Sequence, residues 1–156
     1  LQIISSAWFA LTHGANDGQK TMGIIVLILF AADLIPELEM PLWVIFAAAT
    51  AMGLGTFFGG YKVIKTLGVR ITRLKPYQGF AAETSGGLML AIFATLGIPA
   101  STTHAITGTI MGAGSARRIR AVRWKVSSQI IFSWVITIPG AAGLGAVCTY
   151  IIHLFV

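Results

Sequence analysis

His13-Gly14-Ala15-Asn16-Asp17-Gly18-Gln19-Lys20 interrupts an apolar stretch that runs from Leu1 to Leu34. At 1.5 Å per residue, that stretch is too long for one straight span across a hydrocarbon core of ~30 Å. Polar and ionisable residues sit at its centre between two glycines, which free the backbone to leave a helix. The sequence therefore predicts a broken helix over 1–34, with an unwound centre flanked by helices over about 1–13 and 18–33. An Asp inside an apolar segment is expensive and marks a functional position.

The rest of the chain agrees with a membrane setting. It has 156 residues, 56% hydrophobic and 10% charged, with a mean hydropathy of +0.83. Soluble domains carry about 25% charged residues, so a soluble globular domain is excluded. The predicted class is all-α integral membrane, multi-pass, with the lipid bilayer as its main partner. The net charge of +6 comes from 11 basic and 5 acidic residues. These charges cluster between apolar runs, the pattern of cytoplasmic loops, and no surface remains for nucleic acid. Cys148 is the single cysteine, so neither an intramolecular disulfide nor a cysteine metal set is available.

A second span is predicted over 41–60, after an acidic turn that holds Asp33, Glu37 and Glu39. It contains Gly55 and Gly59 at the four-residue spacing that lets helices pack closely in lipid. Residues 61–77 form a basic cytoplasmic segment. In it Val63, Leu67, Ile71 and Leu74 recur at helical spacing, which fits either an interfacial helix or a basic loop. Residues 116–125 form a second basic cytoplasmic loop. Two basic loops on one side require that 78–115 return to that side, and a re-entrant hairpin fits its short second arm. The last span is 126–155, with Pro139-Gly140 expected to kink it. The count is three crossings and one hairpin, with Leu1 inside and Val156 outside. Trp8, Trp43, Trp124 and Trp134 read mostly as interface anchors.

Chemistry concentrates at two places. At the hairpin tip, Pro99 precedes Ser101, Thr102, Thr103 and His104. Ser101 or Thr102 is a good N-cap. The first N–H groups of the following helix lack intrahelical partners and point into the tip. With three hydroxyls on one turn, this reads as an oxyanion site of the kind half-helices form in transporters, or as an ordinary capped helix. Asn16 and Asp17 offer hard oxygen ligands that suit Na⁺ or a proton. The plain alternative is that Asp17 only pairs with Lys20. His13 and His104 each border a motif, as proton carriers or as packed histidines. Glu83 stands inside an apolar run, where it either pairs with a basic residue or shapes the permeation path. No cofactor and no metal cluster is expected. Ser101 and His104 on one helical turn do not make a hydrolytic pair, and no nucleophile elbow is present, so an enzyme is not expected. An anion channel using the same hairpin as a filter is the rival from another class.

Gly14-Ala15-Asn16-Asp17-Gly18-Gln19-Lys20 resembles the GAND signature of the inorganic phosphate transporter (PiT) family. Gly97 to His104 resembles the family's second signature. The GANDGQK form resembles the C-terminal half of that family. The resemblance implies one half of an inverted-repeat secondary transporter that carries phosphate with Na⁺ or H⁺ by alternating access. Ser101, Thr102 and Thr103 would then bind phosphate, with Gln19 near it. Asn16 and Asp17 would lie at the coupling-cation site, and His104 and Glu83 would be accessory or proton-handling groups. Relatives that carry sulfate leave a sulfate permease as the alternative. The resemblance further implies a missing N-terminal half as partner and a plasma membrane location, in bacteria the inner membrane. The small residues around Gly55 and Gly108 allow a homodimer.

Overall fold

The computed structural model describes residues 1–155; Val156, expected outside, lies beyond them. Five helices follow in order: α1 (Gln2–Ala31), α2 (Leu42–Lys65), α3 (Pro76–Thr95), α4 (Thr102–Ser115) and α5 (Trp124–Phe155). A π-helical turn, Thr66–Ile71, ends α2, and a 3-10 turn, Ile119–Ala121, precedes α5. Two helices are long and apolar enough to cross a membrane: α2 over Leu42–Tyr61 and α5 over Trp124–Leu154.

The expected break in the first helix is not there. α1 is continuous from Gln2 to Ala31, through the whole 13–20 motif. Gly14 and Gly18 hold ordinary helical backbone; among the described residues the glycine with positive φ is Gly97. Two glycines in a helix cost about 1 kcal/mol each relative to alanine, a cost offset by the packing of α1 on α3 together with local side-chain attraction. His13, Asp17 and Lys20 fall at i, i+4 and i+7, where the helix brings their side chains together. The hydroxyls of Thr12 and Thr21 donate back to Phe9 O at 3.0 Å and Asp17 O at 3.2 Å, so polar side chains are satisfied without unwinding. Thirty residues make a helix of about 45 Å, longer than the hydrocarbon core.

α3 lies against α1 through its glycine face. A Cβ added at Gly87 would sit 2.6 Å from the Trp8 indole, and one at Gly86 would sit 3.1 Å from the Phe9 ring. Trp8 is therefore a knob in an α3 hole as well as a partly exposed ring, which corrects its reading as a simple interface anchor. α3 and α4 form the predicted helical hairpin. Gly97, at φ 68°, turns the chain between them, and Ile98 N–H donates to Phe93 O at 2.9 Å.

The basic segment does not form a separate interfacial helix. α2 runs on to Lys65 and the π-helical turn completes it. The expected stripe is split: Val63 is exposed, while Leu67, Ile71 and Leu74 pack into a core with Ala82, Ile110 and Val122. Arg123 N–H donates to Ile71 O at 2.8 Å. The two basic segments thus meet at one end of the molecule, as a shared side requires. α5 stays helical through Pro139.

Candidate functional site

The site is built where α1 meets the N-terminus of α4. Ser101 caps α4: its Oγ accepts from His104 N–H at 3.3 Å. Capping leaves Thr102 in the first turn, buried at 5% exposure and directed at α1. Thr102 Oγ1 donates to Asp17 Oδ2 at 2.8 Å. The two motifs, 85 residues apart in sequence, are joined by this bond.

Asp17 is the hub. His13 Nε2 lies 3.0 Å from its Oδ2, and Lys20 Nζ lies 3.1 Å from its Oδ1. Lys20 also donates to the carbonyl of Ala100, in the connection before α4. The anticipated Asp17–Lys20 pair therefore exists, but it is only one contact of a carboxylate with three neighbours. Asp17 and Lys20 side chains are 30% and 32% exposed. Pairs this accessible are worth about 0–1 kcal/mol. Asn16 is buried at 4% exposure. Its Nδ2 has no hydrogen-bond partner among the described residues.

Ser101 and Thr103 face the other side of the tip. With His104, Trp134 and Thr137 they line an open cleft of about 510 Å³ between α4 and α5. His104 Nδ1 lies 2.5 Å from Ser101 Oγ, and its ring stacks on Trp134 with centroids 3.7 Å apart. Gln19 is exposed, and no hydrogen bond among the described residues ties it to the tip. Glu83 lies elsewhere, on α3. Its carboxylate accepts from Ser5 Oγ at 2.6 Å and Ser6 Oγ at 2.8 Å. This corrects the expectation of a basic partner: two hydroxyls of α1 satisfy it.

The structure therefore unites Asp17, Thr102, His13 and Lys20, and places Ser101, Thr103 and His104 on the adjoining cleft. His13 as a direct partner of Asp17 was readable from the i, i+4 spacing. The Trp134 contact carried no sequence signal, because Trp134 sits 30 residues after His104 in an evenly apolar helix.

Residues 1–145 match the phosphate transporter family. The chain is 48% identical over 151 residues to a Rhizobium meliloti protein named "Probable low-affinity inorganic phosphate transporter", covering 96% of this chain and 45% of that protein. A Bacillus subtilis protein of the same name is 41% identical over 155 residues, covering 99% and 46%. The chain thus spans about half the length of these relatives. Among solved structures, one described as the sodium-dependent phosphate transporter superposes with a TM-score of 0.76 at 33% identity, over 88% of this chain and 35% of that one. The match extends over most of the chain, both sequence motifs included in its range, and the chain belongs to the phosphate transporter family.

Proposed function

We propose that this chain forms one half of a secondary active transporter that carries inorganic phosphate into the cell by Na⁺ symport, with alternating access. The Asp17–Thr102 hydrogen bond carries this reading, because it couples a cation-type carboxylate to an oxyanion-type helix N-terminus. Phosphate settles on the N-terminal turn of α4. Ser101, Thr102 and Thr103 supply hydroxyls, and the unpaired N–H groups and helix dipole supply positive potential. Gln19 approaches the anion from α1 once the second half closes over the site. Na⁺ lies at Asn16 and Asp17. The sodium dependence in the description of the solved relative supports Na⁺ over H⁺.

Coupling follows from charge. Lys20 offsets the Asp17 carboxylate only in part, and Thr102 spends its only proton on Asp17. A cation on Asp17 adds positive charge beside the tip and releases the Thr102 hydroxyl toward phosphate. Each ligand then raises the affinity for the other by the same factor. Loading both shifts the balance between inward- and outward-facing arrangements. α2 and α5 are crossings, the α3–α4 hairpin is re-entrant, and a second half, inverted, completes the cavity in the plasma membrane.

The test is uptake of radiolabelled phosphate into proteoliposomes holding the full-length protein, with Na⁺ and H⁺ gradients imposed separately and sulfate as competitor. Uptake driven by the Na⁺ gradient and resistant to sulfate is expected. Flux that follows only the phosphate gradient would establish a channel instead, and preferential uptake of sulfate would replace the substrate.

A further inference from the structure

His104 at the hairpin tip and Trp134 on α5 meet ring to ring across the cleft. No residue of α4 comes within 8 Å, Cα to Cα, of α5 among the described residues, so it is side chains that approach one another across the cleft. They meet with centroids 3.7 Å apart and planes 32° apart. The opposite edge of the imidazole is engaged as well, with Nδ1 2.5 Å from Ser101 Oγ. That oxygen already accepts the backbone N–H of His104 at 3.3 Å.

A serine hydroxyl has one proton and two lone pairs. If Ser101 gave its proton to Nδ1, only oxygen lone pairs would face an incoming oxyanion. If Nδ1–H donates instead, both lone pairs of Oγ are filled, by the ring and by the N-cap bond. The Ser101 proton then has one remaining use, which is to donate into the cleft. Neutral imidazole can adopt either tautomer, and the hydrogen bond it keeps decides which one.

We propose that Trp134 is a positioning residue for phosphate binding. By lying on the His104 ring it keeps Nδ1 within reach of Ser101 Oγ, and in the Nδ1–H tautomer the Ser101 hydroxyl is left as a donor to the anion. Trp134 acts through His104 and Ser101. This inference rests on the reading of Ser101 as a phosphate ligand.

Phosphate uptake by the full-length protein in proteoliposomes gives the test, with half-saturating phosphate and maximal rate measured separately. Trp134→Leu removes the ring face. It is expected to raise half-saturating phosphate about tenfold and leave the maximal rate within twofold. Trp134→Phe keeps a ring to stack and is expected to stay near the parent, which separates stacking from bulk. His104→Asn places an amide N–H close to where Nδ1 stood and is expected to retain most of the affinity. His104→Gln places it where Nε2 stood and is expected to match Trp134→Leu. The double variant Trp134→Leu/His104→Gln should be no worse than either single change, since both break one chain of contacts.

Additive losses, or equal affinity in His104→Asn and His104→Gln, would overturn the proposal. So would an unchanged half-saturation in Trp134→Leu where Ser101→Ala raises it; that result would leave Ser101 as a phosphate ligand. Unchanged affinity in Ser101→Ala would overturn both readings together. A fall in maximal rate shared by Trp134→Phe and Trp134→Leu would mark a packing role instead.

Discussion

At the scale of single residues, Asp17 and Thr102 carry the account. Hydrogen bonds to a charged group contribute about 1.5–3 kcal/mol. Thr102→Val removes one such bond and a proposed phosphate ligand while preserving shape. Half-saturating phosphate should rise by roughly 10–100-fold, measured as uptake against phosphate concentration; an unchanged value removes Thr102 from the site. Asp17→Asn keeps the size and loses the charge. Sodium-driven uptake should vanish while the protein still inserts and extracts as a folded species. The hub was partly legible in the sequence. Asn16-Asp17 and Ser101 to His104 stood out as polar islands in apolar runs, because lipid makes such residues costly. That they touch was not legible, since no spacing rule links positions 85 residues apart.

At the scale of elements, the glycine face of α3 decides how α1 sits. Gly87→Ala would drive a methyl into the Trp8 ring. Overpacking of this kind costs about 1–3 kcal/mol, so a lower midpoint of thermal unfolding in detergent is expected, and an unchanged midpoint would show that Trp8 moves aside freely. Glu83→Ala removes the carboxylate that accepts from Ser5 and Ser6 and leaves both hydroxyls to share the Gln2 carbonyl. A further drop in the midpoint is expected there, whereas Glu83→Gln keeps one acceptor oxygen and should lose less. α2, the hairpin and α5 were legible from hydropathy and from the Gly97-Pro99 turn. The continuity of α1 was not. Composition shows that glycines and charges permit a break. It does not show that His13, Asp17 and Lys20 attract one another once the helix forms. The division of the 61–77 stripe also escaped the sequence, because burial of Ile71 depends on Val122 and Ile110, which arrive from elsewhere in the chain.

At the scale of the whole molecule, charge is segregated. Arg123 bonds to the backbone of Arg70 and Ile71 where the two basic segments meet, while Asp33, Glu37 and Glu39 occupy the turn between α1 and α2. The positive-inside rule then orients the chain. With Cys148 replaced by Ala, Arg120→Cys should react with an impermeant maleimide only from the cytoplasmic side, and Glu37→Cys only from outside. Reaction of both from one side would overturn the orientation and the re-entrant hairpin with it. α2 and α5 present exposed apolar faces, with Phe57, Phe58 and Ile138 at 75–81% exposure.

The central claim is that one site couples the cation to the anion through Asp17 and Thr102. Its most direct test is phosphate binding to the purified full-length protein by calorimetry, at a series of Na⁺ concentrations and constant ionic strength. The account predicts that Na⁺ tightens phosphate binding at least tenfold in the parent, and that Asp17→Asn abolishes this dependence. Phosphate affinity that ignores Na⁺ in the parent, or the same Na⁺ dependence in Asp17→Asn, would contradict it.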